Sequence, residues 1–189
     1  MNRIFVFENQ LNRDFWSTCN YENVVIYPDS TLHWLANYAF ERPRCPGHLW
    51  LSREGVGYEK IVLISAEDNR REIESYYGLT DISFQHFPFL DEADVAEHSK
   101  TINLGNFCTG TKVLVLLCLS SPKQDKVAHQ MAQASYQSDI NFACLGYALT
   151  NDFMRIPRSI LRMASFLMLE WFLHAVINPK RFFVKIKHY

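Results

Sequence analysis

Residues 112–130 read KVLVLLCLSSPKQDKVAHQ. The first half is an unbroken aliphatic run of strand length. It is too uniformly apolar to alternate, as a strand covered on both faces of a parallel sheet would be. The second half changes character at once. Ser121 stands where an N-cap would, Pro122 suits the first helical position, and Gln124 follows Ser121 by three residues. A capping box and a helix over 122–137 are therefore expected. A strand that passes through a short polar turn into a helix aims backbone N–H groups, with Lys123 beside them, at whatever lies above the sheet. Phosphates commonly occupy such a place. A well-capped connection with no ligand is the plain alternative.

Outward from this stretch, further strand-like runs occur at 3–7, 23–27, 60–65, 81–87 and 140–145, with 112–119 making the sixth. Helix-like segments fall between several of them, at 30–40, 67–77 and 90–99. Alternation of this kind predicts the α/β class: a Rossmann-like, mostly parallel sheet with helices on both faces. Ligands of such sheets sit beyond the carboxyl ends of the strands. Two turns at such ends carry chemistry, SSPKQD (120–125) and YPDST (27–31), and both are expected to open on the same side of the sheet. Asp29 is placed to take a proton from a bound hydroxyl. On residue type alone it is more often an N-cap for the helix 30–40.

A chain of 189 residues, 48% hydrophobic, suggests one domain with a sizeable core. The last part differs from the rest. Residues 155–189 carry seven Lys/Arg against one acid, Glu170, and read as a helix, a long apolar helix and a basic helix. This divides the chain into a 1–154 α/β core and a 155–189 helical, basic appendage. The apolar zone 163–177 is interrupted by Glu170 and His174 and is too short to span a bilayer. MNRIFVFENQ is not expected to be a signal peptide. A net charge of −1 gives no reason to expect a nucleic-acid partner. The five cysteines are scattered and form no CxxC pair, which speaks against a metal site or a disulfide framework and for a reducing compartment. DEAD (91–94) lacks any accompanying phosphate loop, GVGYEK (55–60) does not continue as GxGxxG, and no HExxH, GxSxG or Asp-x-Asp occurs.

The two turns and the tail together resemble the WecG/TagA/CpsF family of bacterial glycosyltransferases. The family's turn reads approximately Gly-Leu-Gly-Ser-Pro-Lys-Gln-Glu, where this chain has CLSSPKQDK (118–126). Its end reads approximately Arg-Ala-Pro, an apolar helix with Leu-Glu-Trp, then Glu-Pro-Arg-Arg, where this chain has RIPRSILRMASFLMLEWFLHAVINPKRF (155–182). The resemblance implies transfer of a sugar from a nucleotide-sugar, typically UDP-linked, to a polyprenyl-diphosphate-linked acceptor in surface polysaccharide synthesis. Inversion, no metal and no other cofactor are implied too, as is work at the cytoplasmic face of the plasma membrane. By position, Asp29 matches the family's catalytic Asp, and Arg44 in ERPRCPG matches its Arg. Ser120, Ser121, Lys123 and Gln124 fall in its donor-binding turn, and Asn9 corresponds to an Asn near the N-terminus. Lys180, Arg181, Lys185 and Lys187, interleaved with aromatic residues, suit an anionic membrane surface. The tail's Met/Phe/Leu/Trp stripe reads most simply as core packing, with its basic residues a solvated face. A homo-oligomer is left open. Where the family has Gly, this chain has Ser30, Cys118 and Ser120, and of its later glycine-rich stretch Gly146 alone stands. These departures keep a second reading open, a catalytically weak relative acting as a membrane-bound interaction subunit of polysaccharide assembly.

Overall fold

Each of the six apolar runs forms a strand: β1 (Ile4–Glu8), β2 (Val24–Pro28), β3 (Lys60–Ser65), β4 (Ile82–His86), β5 (Val113–Cys118) and β6 (Ile140–Cys144). They appear in a computed structural model that describes residues 2–20, 22–29, 34–35, 37–38, 41–102, 104, 112–135, 139–167, 169–177 and 179. The strands make one sheet in the order β2-β1-β6-β5-β3-β4, and every neighbouring pair is parallel. The α-helices with bounds among the described residues are α1 (Gln10–Thr18), α2 (Gly47–Glu54), α3 (Arg70–Tyr77), α4 (Glu92–Ser99), α5 (Lys123–Ala134), α6 (Asn151–Met154), α7 (Arg158–Phe166) and α8 (Glu170–Ile177). Of the expected helix 30–40, Trp34, Leu35 and Asn37 are helical and most of the remainder lies outside the described residues. Helix α1 is amphipathic in sequence on three apolar residues, Leu11, Phe15 and Trp16, and α2 only weakly so; neither is among the helices expected from the sequence.

Successive side chains of a strand point to opposite faces, and here both faces are buried. Ile4, Val6, Val62, Ile64, Val113, Val115 and Leu117 pack against Trp16 of α1, Val95 of α4 and Val127 and Met131 of α5. Phe5, Phe7, Ile61, Leu63, Leu114 and Leu116 pack against Trp50 and Leu51 of α2 and Ile73 and Tyr77 of α3. The division follows from crossover hand. The connections β1→β2, β4→β5 and β5→β6 step one way along the sheet, and their helices share one face. Those of β2→β3 and β3→β4 step the other way, and their helices share the other. A constant hand of crossover requires this.

One consequence positions the site. Adjacent strands whose connections depart to opposite faces leave a crevice at their carboxyl ends. Among the strands followed by a crossover helix this holds for β1 and β2, for β3 and β5, and for β3 and β4. Asp29 follows the first and the 119–123 turn follows the second. The two therefore open on the same edge of the sheet, three strand spacings apart, or about 14 Å.

The appendage sits against α3. Phe153, Ile156 and Leu161 form a small buried cluster with Tyr76, Tyr147 and Leu173, and the Tyr76 hydroxyl donates to the Ile156 carbonyl at 2.8 Å. The boundary expected at 154/155 thus falls inside a packed cluster. Lys180, Arg181, Lys185 and Lys187 lie outside the described residues. No helix among the described residues is long and apolar enough to cross a membrane.

Candidate functional site

The β5–α5 turn forms where expected but is capped differently. Helix α5 begins at Lys123, and Pro122 precedes it with no side-chain cap bond. Ser121 Oγ donates to Asp125 Oδ2 at 3.1 Å instead of capping an amide. Gln124, on the sheet-facing side of the first turn, donates its Nε2 to the Cys144 carbonyl at 3.2 Å, so its amide ties α5 to the end of β6 rather than reaching back to Ser121. The expected capping box is therefore absent. Ser120 is exposed at the tip of the turn. Lys123 reaches sideways and donates to the Leu90 carbonyl in the loop after β4.

Gly146, just past β6, completes this region. Its φ of +45° suits glycine, and an added Cβ would lie 2.9 Å from Gln124 Oε1 and 3.1 Å from the Leu119 carbonyl oxygen. That Oε1 is buried without a hydrogen-bond partner among the described residues. Gly146→Ala should destabilise the fold by about 1–3 kcal/mol, from backbone strain plus overpacking. Urea denaturation measures this, and an unchanged midpoint would show that the segment can shift freely.

Beneath the turn lies a group that sequence reading passed over. Asp125 is 0% exposed. Its Oδ1 accepts from Trp16 Nε1 at 2.7 Å and Asn12 Nδ2 at 3.0 Å, both on α1. Burial lifts its carboxyl from the ordinary 3.8 to about 6, and the bonds from Trp16, Asn12 and Ser121 offset only part of that rise. Asn12 is itself fixed, since its Oδ1 accepts the Asn9 amide at 2.9 Å. Through this network the segment after β1, which contains Asn9, is fastened to the segment after β5. At the carboxyl end of β1, Glu8 is buried and accepts the Tyr38 hydroxyl. Burial first, then that bond, pushes Tyr38 up to about 12.

Asp29 and Arg44 do come together. Asp29 Oδ1 accepts the Gly47 amide, the first of α2, at 2.9 Å. Asp29 is thus an acceptor at a helix start, and the helix it serves is α2. Arg44 is half-buried. It donates Nη1 to the Asp29 carbonyl at 3.3 Å and Nη2 to the Ser165 carbonyl, near the end of α7, at 3.0 Å. Ser165 Oγ and His48 Nε2 are hydrogen-bonded at 3.2 Å, and both side chains are buried. The appendage is so joined to the loop that carries Asp29.

Two groupings result. Asp29, Arg44, His48 and Ser165 lie at the β2 end. Ser120, Ser121, Lys123, Gln124 and Asp125 lie at the β5 end, with Gly146 and the Asn9–Asn12 segment between them. Trp16, Asn12, His48 and Ser165 carried no signal in the sequence, because each acquires its role from a partner far along the chain. Among the described residues, no group of three or more His, Cys, Asp or Glu is placed to hold a metal ion. No protein-family model and no curated protein matches this sequence.

Proposed function

We propose that the protein is an inverting, metal-independent glycosyltransferase that moves a sugar from a nucleotide-sugar to a polyprenyl-diphosphate-linked acceptor. The observation that carries this reading is the Ser-Pro-Lys-Gln turn. It stands at a crevice of an all-parallel sheet, on the edge that also bears Asp29 and Arg44. In this reading the donor's diphosphate lies over the turn, against Ser120, Ser121 and the Lys123 amide, with the Lys123 side chain offsetting its charge. Asp29 takes the proton of the acceptor hydroxyl; its bond from Gly47 fixes the carboxylate by one oxygen and leaves Oδ2 for the proton. Arg44 supplies positive charge beside it. A thermal-shift screen against a panel of UDP-, GDP- and dTDP-sugars tests the reading, since a ligand that binds the native state raises the midpoint with concentration.

One observation favours the second reading, that of a non-catalytic relative. Asp29 and Lys123 are each engaged with backbone here, as purely structural residues would be. A folded protein unmoved by every nucleotide-sugar supports that reading.

The membrane part of the proposal rests on the appendage. Helix α7 turns Leu161, Ala164 and Ser165 inward, yet its other side is also apolar: Met163 is 58%, Phe166 85% and Leu167 52% exposed. Phe172 and Val176 of α8 extend the patch, and Arg155 and Arg162 are exposed on the same appendage. Exposed apolar side chains on two helices, with exposed cations on the same appendage, suit a helix pair lying on anionic lipid. Phe166→Asp with Phe172→Asp should reduce flotation on phosphatidylglycerol vesicles at least about tenfold, and melting curves of the variant show whether the fold is kept. A chain ending at Asn178 separates this patch from the basic tail. If the double variant floats like wild type, lipid docking by α7–α8 is wrong.

A further inference from the structure

We propose that Asp125 and Ser121 form a proton-linked subsite for the donor's diphosphate, in which binding places a proton on Asp125 Oδ2 and turns the Ser121 hydroxyl outward to donate to a phosphate oxygen. The inference rests on the reading of the β5–α5 turn as the donor site and adds its regulation.

With Asp125 ionised, Ser121 Oγ–H points inward to Oδ2 at 3.1 Å. A hydroxyl has one hydrogen, so in that state Ser121 cannot donate to an anionic ligand. An ionised carboxylate directly under the turn also repels one. Protonation removes both obstacles. The proton, taken from solvent, goes to Oδ2, because Oδ1 already accepts from Trp16 and Asn12, which can only donate there. Oδ2–H then donates to Ser121 Oγ, and the Ser121 hydrogen is released toward the ligand. The carboxyl is close to this change in the free protein, since burial holds it at about 6. The other groups around it are the Cys144 thiol on β6, pushed well up by burial and by Asp125 itself, and His129 on α5, edge-on to the Trp16 ring at 6.4 Å. Lys123 and Lys126 flank Asp125 on α5.

UDP-glucose is a suitable probe, because its diphosphate diester has no ionisation near pH 6. Calorimetry from pH 5 to 8 in two buffers of different ionisation enthalpy counts protons taken up per ligand bound. Wild type should take up protons above pH 6 and bind more tightly as pH falls toward 6, with the curve flattening below. Asp125→Asn is the decisive variant. Its carbonyl keeps the Trp16 and Asn12 bonds, and its NH₂ faces Ser121 as a permanent copy of Oδ2–H. It should bind about tenfold more tightly than wild type at pH 8, the scale of an ordinary coupling, with no proton uptake. Ser121→Ala should bind weakly, with only the smaller pH dependence that charge repulsion by Asp125 leaves. A merely structural Asp125 predicts instead that Asp125→Asn weakens binding, and that result, or uptake unchanged in Asp125→Asn, overturns the proposal. Failure of all three proteins to bind any UDP- or GDP-sugar tried overturns the donor reading itself, and this subsite with it.

Discussion

Asp125→Ala should destabilise the protein by about 3–5 kcal/mol, the range for removing one member of a buried charged network. The substitution leaves the Trp16 indole N–H, the Asn12 amide and the Ser121 hydroxyl without their acceptor in a site that is 0% exposed at its centre. Asp125→Asn should behave oppositely. A carboxyl lifted from 3.8 to about 6 by burial binds its proton more tightly in the folded chain than in the unfolded one. Its contribution is therefore greatest below pH 3.8, is lost as pH rises to about 6, and stays lost above that. At roughly 1.4 kcal/mol per pH unit the loss is about 3 kcal/mol. Asp125→Asn keeps the shape and drops the charge, so near pH 8 it should be at least as stable as wild type and should lack the decline between pH 4 and 6. Urea titrations across pH measure both variants. If Asp125→Ala matches wild type, or the decline persists in Asp125→Asn, the network does not hold the two segments together.

Asp29→Asn should lower sugar transfer at least about a hundredfold, the scale of losing general-base help, and leave the fold intact. The structure separates the two roles this residue can have. Asn retains an oxygen for the Gly47 amide and so keeps the helix α2 acceptor, but it cannot take a proton. Asp29→Ala removes both and should in addition cost about 1 kcal/mol of stability. Steady-state transfer to a polyprenyl-linked acceptor, read alongside melting curves, distinguishes them. Transfer at the wild-type rate by Asp29→Asn means that the residue is an acceptor for α2 and nothing more.

The strands were legible because burial on both faces writes itself as uninterrupted Val, Ile and Leu, as in residues 113–117 and 61–64. Helix α1 was not. QLNRDFWST has few apolar positions, and what anchors it is Trp16, whose indole is bonded to Asp125, 109 residues away. The capping box failed for a similar reason. Ser121 and Gln124 have the right spacing for a local exchange, but a buried carboxylate and the Cys144 carbonyl offered better partners. Local rules read a residue against its neighbours in sequence; the candidate site is assembled from neighbours across the sheet. Arg44 shows the same limit, since its contact with Ser165 spans 121 residues.

Strand order also dictates when this protein can become whole. β6 lies between β1 and β5 and pairs with both, and the Arg3 amide donates to the Asn141 side chain across 138 residues. Until residues 140–144 have left the ribosome, the chain holds two ribbons, β2–β1 and β5–β3–β4, with no ladder between them. Each then presents an unpaired aliphatic edge, along β1 and along β5, of the kind that recruits other chains. Closure of so distant a pairing comes late and sets a slow pace for folding, so the nascent protein depends on protection of those two edges until its sixth strand arrives.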